Sequence, residues 1–228
     1  MDVSALILAD SRFPGGGHVH SGGLEEAVCR GLIKSERDLP GFLFGRLRTA
    51  GALAATFAAA SAHAATRGVH SGHWRQLDQE LDARTPSVAQ REASRAQGRG
   101  TARAGRVAWP SPVLDELLGV TPRPHHAVIC GALVGIGGGI PSDAAMAVAY
   151  LAVSGPASAA VRLLGLDPFA VNAVVARLSG ALREVCAEAA ASAGADPADL
   201  PAPASPALDL FAEEHARHHQ EEVRLFAG

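Results

Sequence analysis

The chain has 228 residues, a formal net charge of −3, 19 % charged residues and only 4 % aromatic residues. That length supports a sizeable core in one large domain or two small ones, and the near-neutral charge argues against any overall pull toward nucleic acid or anionic membrane. Cys29, Cys130 and Cys186 are odd in number, far apart and without a C-x-x-C pair, which argues against a disulfide framework or zinc knuckle and suits a reducing cytosol.

Alanine dominates the composition, and alanine is the best helix former. Ser4 to Asp10 reads as a short first helix; its apolar run from Ala5 to Ala9 is too short for a secretory signal and lacks a basic start. Gly22 to Arg30 reads as a second, with Glu25 and Glu26 near its positive end. Glu36 to Arg67 keeps helical spacing through Leu39, Phe42, Leu43, Leu47, Leu53 and Phe57, with a bend predicted near Pro40. Gly72 to Ala83 is short and polar. Thr85-Pro86, Ser111-Pro112 and Asp167-Pro168 each pair an N-cap with proline at the first helical position. Residues 124–136 and 141–153 are apolar almost all round and should form the centre of a bundle. The longest apolar run, Ala127 to Pro141, is glycine-rich and shorter than the roughly 20 residues of a membrane span. Val171, Val174, Val175, Leu178, Leu182 and Val185 form one apolar face. Residues 194–206 read as a loop, and 206–225 as a last helix. Strand alternation and internal repeats are missing, so the prediction is an all-α, single-domain bundle over 1–228, of about eight to ten helices.

The loop from Ala9 to Glu26 carries Gly15-Gly16-Gly17, His18, His20 and Ser21-Gly22-Gly23. It has the look of a phosphate-binding or catalytic loop, and its chemistry argues against both. A Walker loop needs lysine after its last glycine, and Lys34 is the only lysine in the chain. His20 stands where G-x-G-x-x-G needs its third glycine, and Val19 stands where G-x-S-x-G needs its first. The loop therefore reads as a shaped, partner-binding element.

Arg91, Arg95, Arg99 and Arg103 are spaced four apart, with Arg106 three further on. On a helix they share one face and repel, with only Glu92 among them. Either the face is solvated or it docks an acidic partner; nucleic acid is a poorer fit, because stacking aromatics are missing nearby. His215 and His219 form an i, i+4 pair that could take zinc or nickel, without the H-E-x-x-H order of a metalloprotease and without a clear third ligand. Adjacent His125 and His126 point apart on a helix and make a poor chelate.

In order and spacing, these motifs are similar to those of the urease accessory protein family UreF, in its actinobacterial form. The resemblance covers essentially the whole chain. It rests on Leu6 to Ser11, on Pro14-Gly15-Gly16, on His20 to Glu25, on Ser94-Arg95-Ala96-Gln97-Gly98-Arg99, on Ala159 to Leu166, and on His215 with Arg224-Leu225-Phe226. Gly165-Leu166-Asp167-Pro168 departs from the Pro-Leu-Gly-Gln of many members, and many have tyrosine where His20 stands. The resemblance implies a cytoplasmic, all-helical homodimer without catalysis or cofactor of its own. It implies partners UreD (UreH in some organisms), the nickel-carrying GTPase UreG and apo-urease, with no nucleic acid and no membrane. Gly15, Gly16, His20, Ser21, Glu25, Arg95, Gln97, Arg99, Arg224, Leu225 and Phe226 are the candidate partner-binding residues. The alternative is a helical nickel- or zinc-binding protein using His215 and His219. For the terminal Leu225 and Phe226, burial is worth roughly 1.5–3 kcal/mol each, and UreD is the partner expected to provide it.

Overall fold

The computed structural model describes residues 1–17 and 20–226, with side chains through residue 218. The described chain is all-α. In order, its helices are α1 (Val3–Ala9), α2 (Leu24–Cys29), α3 (Leu39–Arg46), α4 (Ala52–Arg67), α5 (Ser71–Ala83), α6 (Val88–Ala108), α7 (Pro112–Val120), α8 (His126–Ile136), α9 (Pro141–Leu164), α10 (Pro168–Arg177), α11 (Ser179–Ala191) and α12 (Pro206–Phe226). The all-helical expectation is borne out. The segments outnumber the expected eight to ten because the predicted 36–67 and 167–185 stretches are each divided.

Two of the three predicted caps hold. Ser111 Oγ accepts from the Val113 N–H at 3.2 Å, and the Asp167 carboxylate accepts from the Phe169 and Ala170 N–H groups. Thr85-Pro86 is not the start of α6. Thr85 Oγ1 donates back to the Leu81 carbonyl at 2.8 Å, and Ser87 takes over as cap, accepting from the Gln90 N–H at 3.1 Å. Nor does the long segment bend at Pro40. That proline falls in the first turn of α3, where its missing N–H removes no helix bond. The irregularity is instead a π turn over Leu47–Gly51, between α3 and α4. The apolar face from Val171 to Val185 is buried as predicted, although the helix is interrupted at Leu178.

Alanine-rich α4 lies at the centre, packed against α8, α9 and α11. Its Phe57 and Ala58 join one apolar cluster with Trp74, Leu77, Leu117, Ile129 and Leu133. Its Ala55 and Ala59 join a second, with Leu24, Leu43, Val153, Val174 and Leu182. The crossing of α4 and α8 is almost backbone to backbone: a Cβ on Gly131 would sit 2.1 Å from the Ala58 carbonyl oxygen. Small residues are thus required by the distance between helix axes as well as by helix propensity. Helix α9 is long and apolar enough to cross a membrane by length and composition, with mean hydropathy 1.5, yet it packs on α4, α8, α10 and α11.

The 194–206 stretch is a loop holding one 3₁₀ turn, Pro197–Asp199. It is fastened to α5 by Gln76 Nε2 on Asp196 and by Arg84 Nη2 on the Ala198 carbonyl, at 3.0 and 2.7 Å.

Candidate partner-binding groove

A groove of about 890 Å³ runs beneath the glycine loop, bordered by the first half of α6, the start of α8, the middle of α9 and α12. Its floor is shaped by a proline. Pro156, inside α9, has no N–H for the carbonyl of Ala152 one turn earlier. Arg46, at the end of α3, supplies the missing donor: Nε reaches the Ala152 oxygen at 2.9 Å. Its Nη1 donates to the Gly22 carbonyl at 2.7 Å, so one guanidinium ties the glycine loop to both helices. Gly22 has φ 64°, and a Cβ there would lie 2.8 Å from Arg46 Cζ and 2.9 Å from Pro156 Cγ. Only glycine satisfies both the left-handed backbone and the close approach. Burial pulls the Arg46 pKa down to about 10, which leaves it a cation at neutral pH.

The other end of the loop rests on α6. A Cβ on Gly15 would lie 2.8 Å from Thr101 Oγ1, and one on Gly100 would lie 3.0 Å from the Gly15 oxygen. Ser21 Oγ accepts from the Glu25 N–H at 3.4 Å, where the loop enters α2.

Behind this wall lies a polar joint between α5, α6 and α8. Arg95 Nη1 meets Asp78 Oδ2 at 2.9 Å, and Nη2 meets Asp82 Oδ2 at 2.6 Å. His125 is 1 % exposed, and its backbone N–H donates to Asp78 at 2.8 Å. Its ring lies between Asp82 Oδ1, 2.8 Å from Nε2, and Ser94 Oγ, 2.9 Å from Nδ1. A neutral ring protonated on Nε2 satisfies all of this: it donates to the carboxylate and accepts from the hydroxyl. Burial lowers the His125 pKa and outweighs the two carboxylates, in keeping with that form. Asp82 is held below its ordinary value: burial raises it, but the Arg95 and His125 hydrogen bonds lower it further.

The Ser94–His125–Asp82 connectivity is that of a nucleophilic triad, but its chemistry is structural. Asp82 is already neutralised by Arg95, and Ser94 Oγ accepts from the His126 N–H at 3.2 Å. Ser94 stands inside α6, where neighbouring N–H groups serve the helix and offer no oxyanion site.

His126, next in sequence, turns the other way, and its Nε2 lies 3.2 Å from Cys130 Sγ. Adjacent His125 and His126 thus have separate partners, as their sequence spacing predicts. Burial, with His20 nearby, lowers the His126 pKa to about 4, and burial raises the Cys130 thiol to about 12. Helix α12 is held on both flanks. Glu213 accepts from Ser87 Oγ at 2.7 Å and from the Ala89 N–H at 3.0 Å; on the other side His215 faces Glu25 at 3.8 Å, and His218 faces Glu26 at 3.5 Å.

The structure brings together Gly15, His20, Ser21, Gln97 and His215 along the groove. Gly16 belongs to the same loop, with φ 76°, and Glu25 reaches the site through His215. Arg95 is not part of an exposed stripe. The repulsion read from sequence is relieved inside the molecule, by Asp78 and Asp82, and Arg91 is turned onto the carbonyls of Thr85 and Pro86. Arg99, Arg103 and Arg106 are exposed. His219, Arg224, Leu225 and Phe226 lie outside the described side chains. No three His, Cys, Asp or Glu side chains gather as a metal site among the described residues. Sequence reasoning passed over Arg46, whose only local signal is an arginine within an apolar run, and over Asp78 and Asp82, spaced i, i+4 on α5.

The sequence model of the UreF family matches residues 33–179, which hold Arg46 and all of the polar joint. A urease accessory protein UreF of Mycobacterium sp. (strain JLS) is 45 % identical over 226 residues, spanning 99 % of this chain and 98 % of that one. The UreF of Mycobacterium bovis (strain BCG / Pasteur 1173P2) is 44 % identical over 212 residues, 92 % of each chain. The UreF of Mycolicibacterium vanbaalenii is 45 % identical over 226 residues. These relatives carry the name of an accessory protein rather than of an enzyme. An alanine-rich helical bundle, a glycine loop clamped over a groove and near full-length similarity to these proteins converge on one assignment: the chain belongs to the UreF family of urease accessory proteins.

Proposed function

We propose that this protein is the non-catalytic scaffold of urease maturation in its cell. It joins UreD and the GTPase UreG on apo-urease, and nickel is the cargo that the assembly delivers. The observation that carries the reading is the near full-length similarity to proteins named urease accessory protein UreF. The surface supports it: Val3, Leu6 and Ile7 of α1 and neighbouring Ile140 are 44–66 % exposed, an apolar face suited to a partner. The working form is a cytoplasmic homodimer of single-domain chains, acting without nucleic acid, membrane or a cofactor of its own. The glycine loop, Gln97, Arg99 and the terminal Arg224-Leu225-Phe226 are the docking elements, with the terminus directed to UreD.

Co-expression with UreD, UreG and apo-urease tests this. A co-purifying complex and nickel-dependent urease activity are expected, and both should be lost when residues 216–228 are deleted while the truncated chain stays folded. Urease activation of equal yield without this chain would refute the role. Normal UreD binding by the truncated chain would remove the tail from it.

A further inference from the structure

We propose that Arg46 anchors a carboxylate of an acidic peptide segment from another protein, laid in the groove beneath the glycine loop. The carboxylates that border that groove are already engaged. Asp10 is paired with Arg12, and Glu26 is paired with Arg30 at 2.7 Å and with His218 at 3.5 Å. Arg46 has no carboxylate within ion-pair distance among the described residues. Its two hydrogen bonds go to the neutral carbonyls of Ala152 and Gly22.

A guanidinium carries five N–H donors in a planar fork, so three remain on a side chain that borders the groove. A half-buried cation without a counter-ion carries a desolvation cost, and a ligand that brings one offsets that cost on binding. The fork matches a carboxylate, and Arg46 is already held in place by its two carbonyls, so little side-chain entropy remains to be lost.

The rest of the groove selects a peptide over a free ion. Its volume of about 890 Å³ far exceeds that of a small anion. Its walls include Phe13, Leu53, Tyr150, Leu208 and Phe211, apolar surfaces that suit side chains flanking an acidic residue. The single charge of Arg46, without a carboxylate partner among the described residues, matches one carboxylate, whereas a phosphate brings nearly two negative charges. This inference stands apart from the urease role, because any acidic segment of the right shape tests it.

The test is an NMR titration of the full-length, ¹³C,¹⁵N-labelled protein, read at the Arg46 Nε–Hε cross-peak, assigned by triple-resonance correlation to the Arg46 backbone. The probes are a set of acetylated tetrapeptides with Asp or Glu between apolar residues, the same peptides with Asn or Gln, and inorganic phosphate. A saturable shift with at least one acidic peptide is expected. Its amide counterpart should bind at least about tenfold more weakly, and phosphate should not saturate the peak. Arg46→Lys should weaken the peptide about tenfold at unchanged helicity, followed by peptide resonances. Should that variant not fold, Tyr150→Ala gives the second readout: weaker binding with the Arg46 peak retained. Equal binding of acid and amide peptides, saturation by phosphate alone, or no saturable shift with any peptide would each overturn the proposal. So would a displaced Arg46 peak in unliganded Glu221→Gln/Glu222→Gln, since the chain's own tail would then be the occupant.

Discussion

Arg95 on α6 and Asp78 on α5 are joined at 2.9 Å, with the Asp78 side chain only 5 % exposed. The contact turns an arginine that sequence spacing assigns to a docking stripe into part of the frame behind the groove. Removing one partner of such a pair leaves a largely buried charge without compensation. Arg95→Ala should therefore cost about 3 kcal/mol in urea unfolding. Exposed Arg99→Glu should stay within about 0.5 kcal/mol of the parent. Equal effects of the two substitutions would refute this division of the stripe. Under the proposed role, Arg99→Glu should weaken assembly with an acidic partner, and so should added salt.

Acid should destabilise the fold before most carboxylates titrate. The His126 pKa is about 4 in the folded chain and near 6.5 when unfolded, so the unfolded state binds the proton more readily. Stability from this group is complete above about pH 6.5 and falls as pH drops toward about 4, where folded His126 also protonates. His125, lowered in the same direction, adds to the slope. His126→Gln should flatten the dependence of melting temperature on pH across that window; an unchanged slope would remove His126 from the account.

Gly131 tests the closeness of α4 and α8. The Cβ of Gly131→Ala would meet the Ala58 oxygen at 2.1 Å, and backbone cannot rotate aside as a side chain can. A loss of about 3 kcal/mol or more is expected. Gly45, in α3, has open space at its Cβ position, so Gly45→Ala should be neutral or gain about 0.5–1 kcal/mol through helix propensity. Thermal melts of the two variants should therefore move in opposite directions or differ widely.

Thr101 is 0 % exposed, and its Oγ1 finds no hydrogen-bond partner among the described residues. The side chain lies directly under Gly15. Thr101→Val keeps the shape and removes an unsatisfied hydroxyl, so a gain of up to about 1 kcal/mol is expected. A loss larger than that would mean the hydroxyl has a partner, with the glycine loop as the nearest candidate.

Much of the fold was legible in the sequence because its causes are local. Alanine content, the caps at Ser111 and Asp167, and the apolar face from Val171 to Val185 each act within a few residues, where helix periodicity carries them. Half of the site was legible for the same reason, since Gly15, His20 and Ser21 lie in one unusual loop. What the sequence could not determine depends on pairs remote along the chain. Arg95 finds Asp78, His125 finds Asp82, and Arg46 finds the carbonyl that Pro156 leaves open on a helix more than a hundred residues away. A charge stripe looks the same in sequence whether its relief comes from a partner or from the next helix. Only the tertiary structure decides, because desolvation and ion pairing act through space, over distances of a few ångströms that no spacing rule encodes.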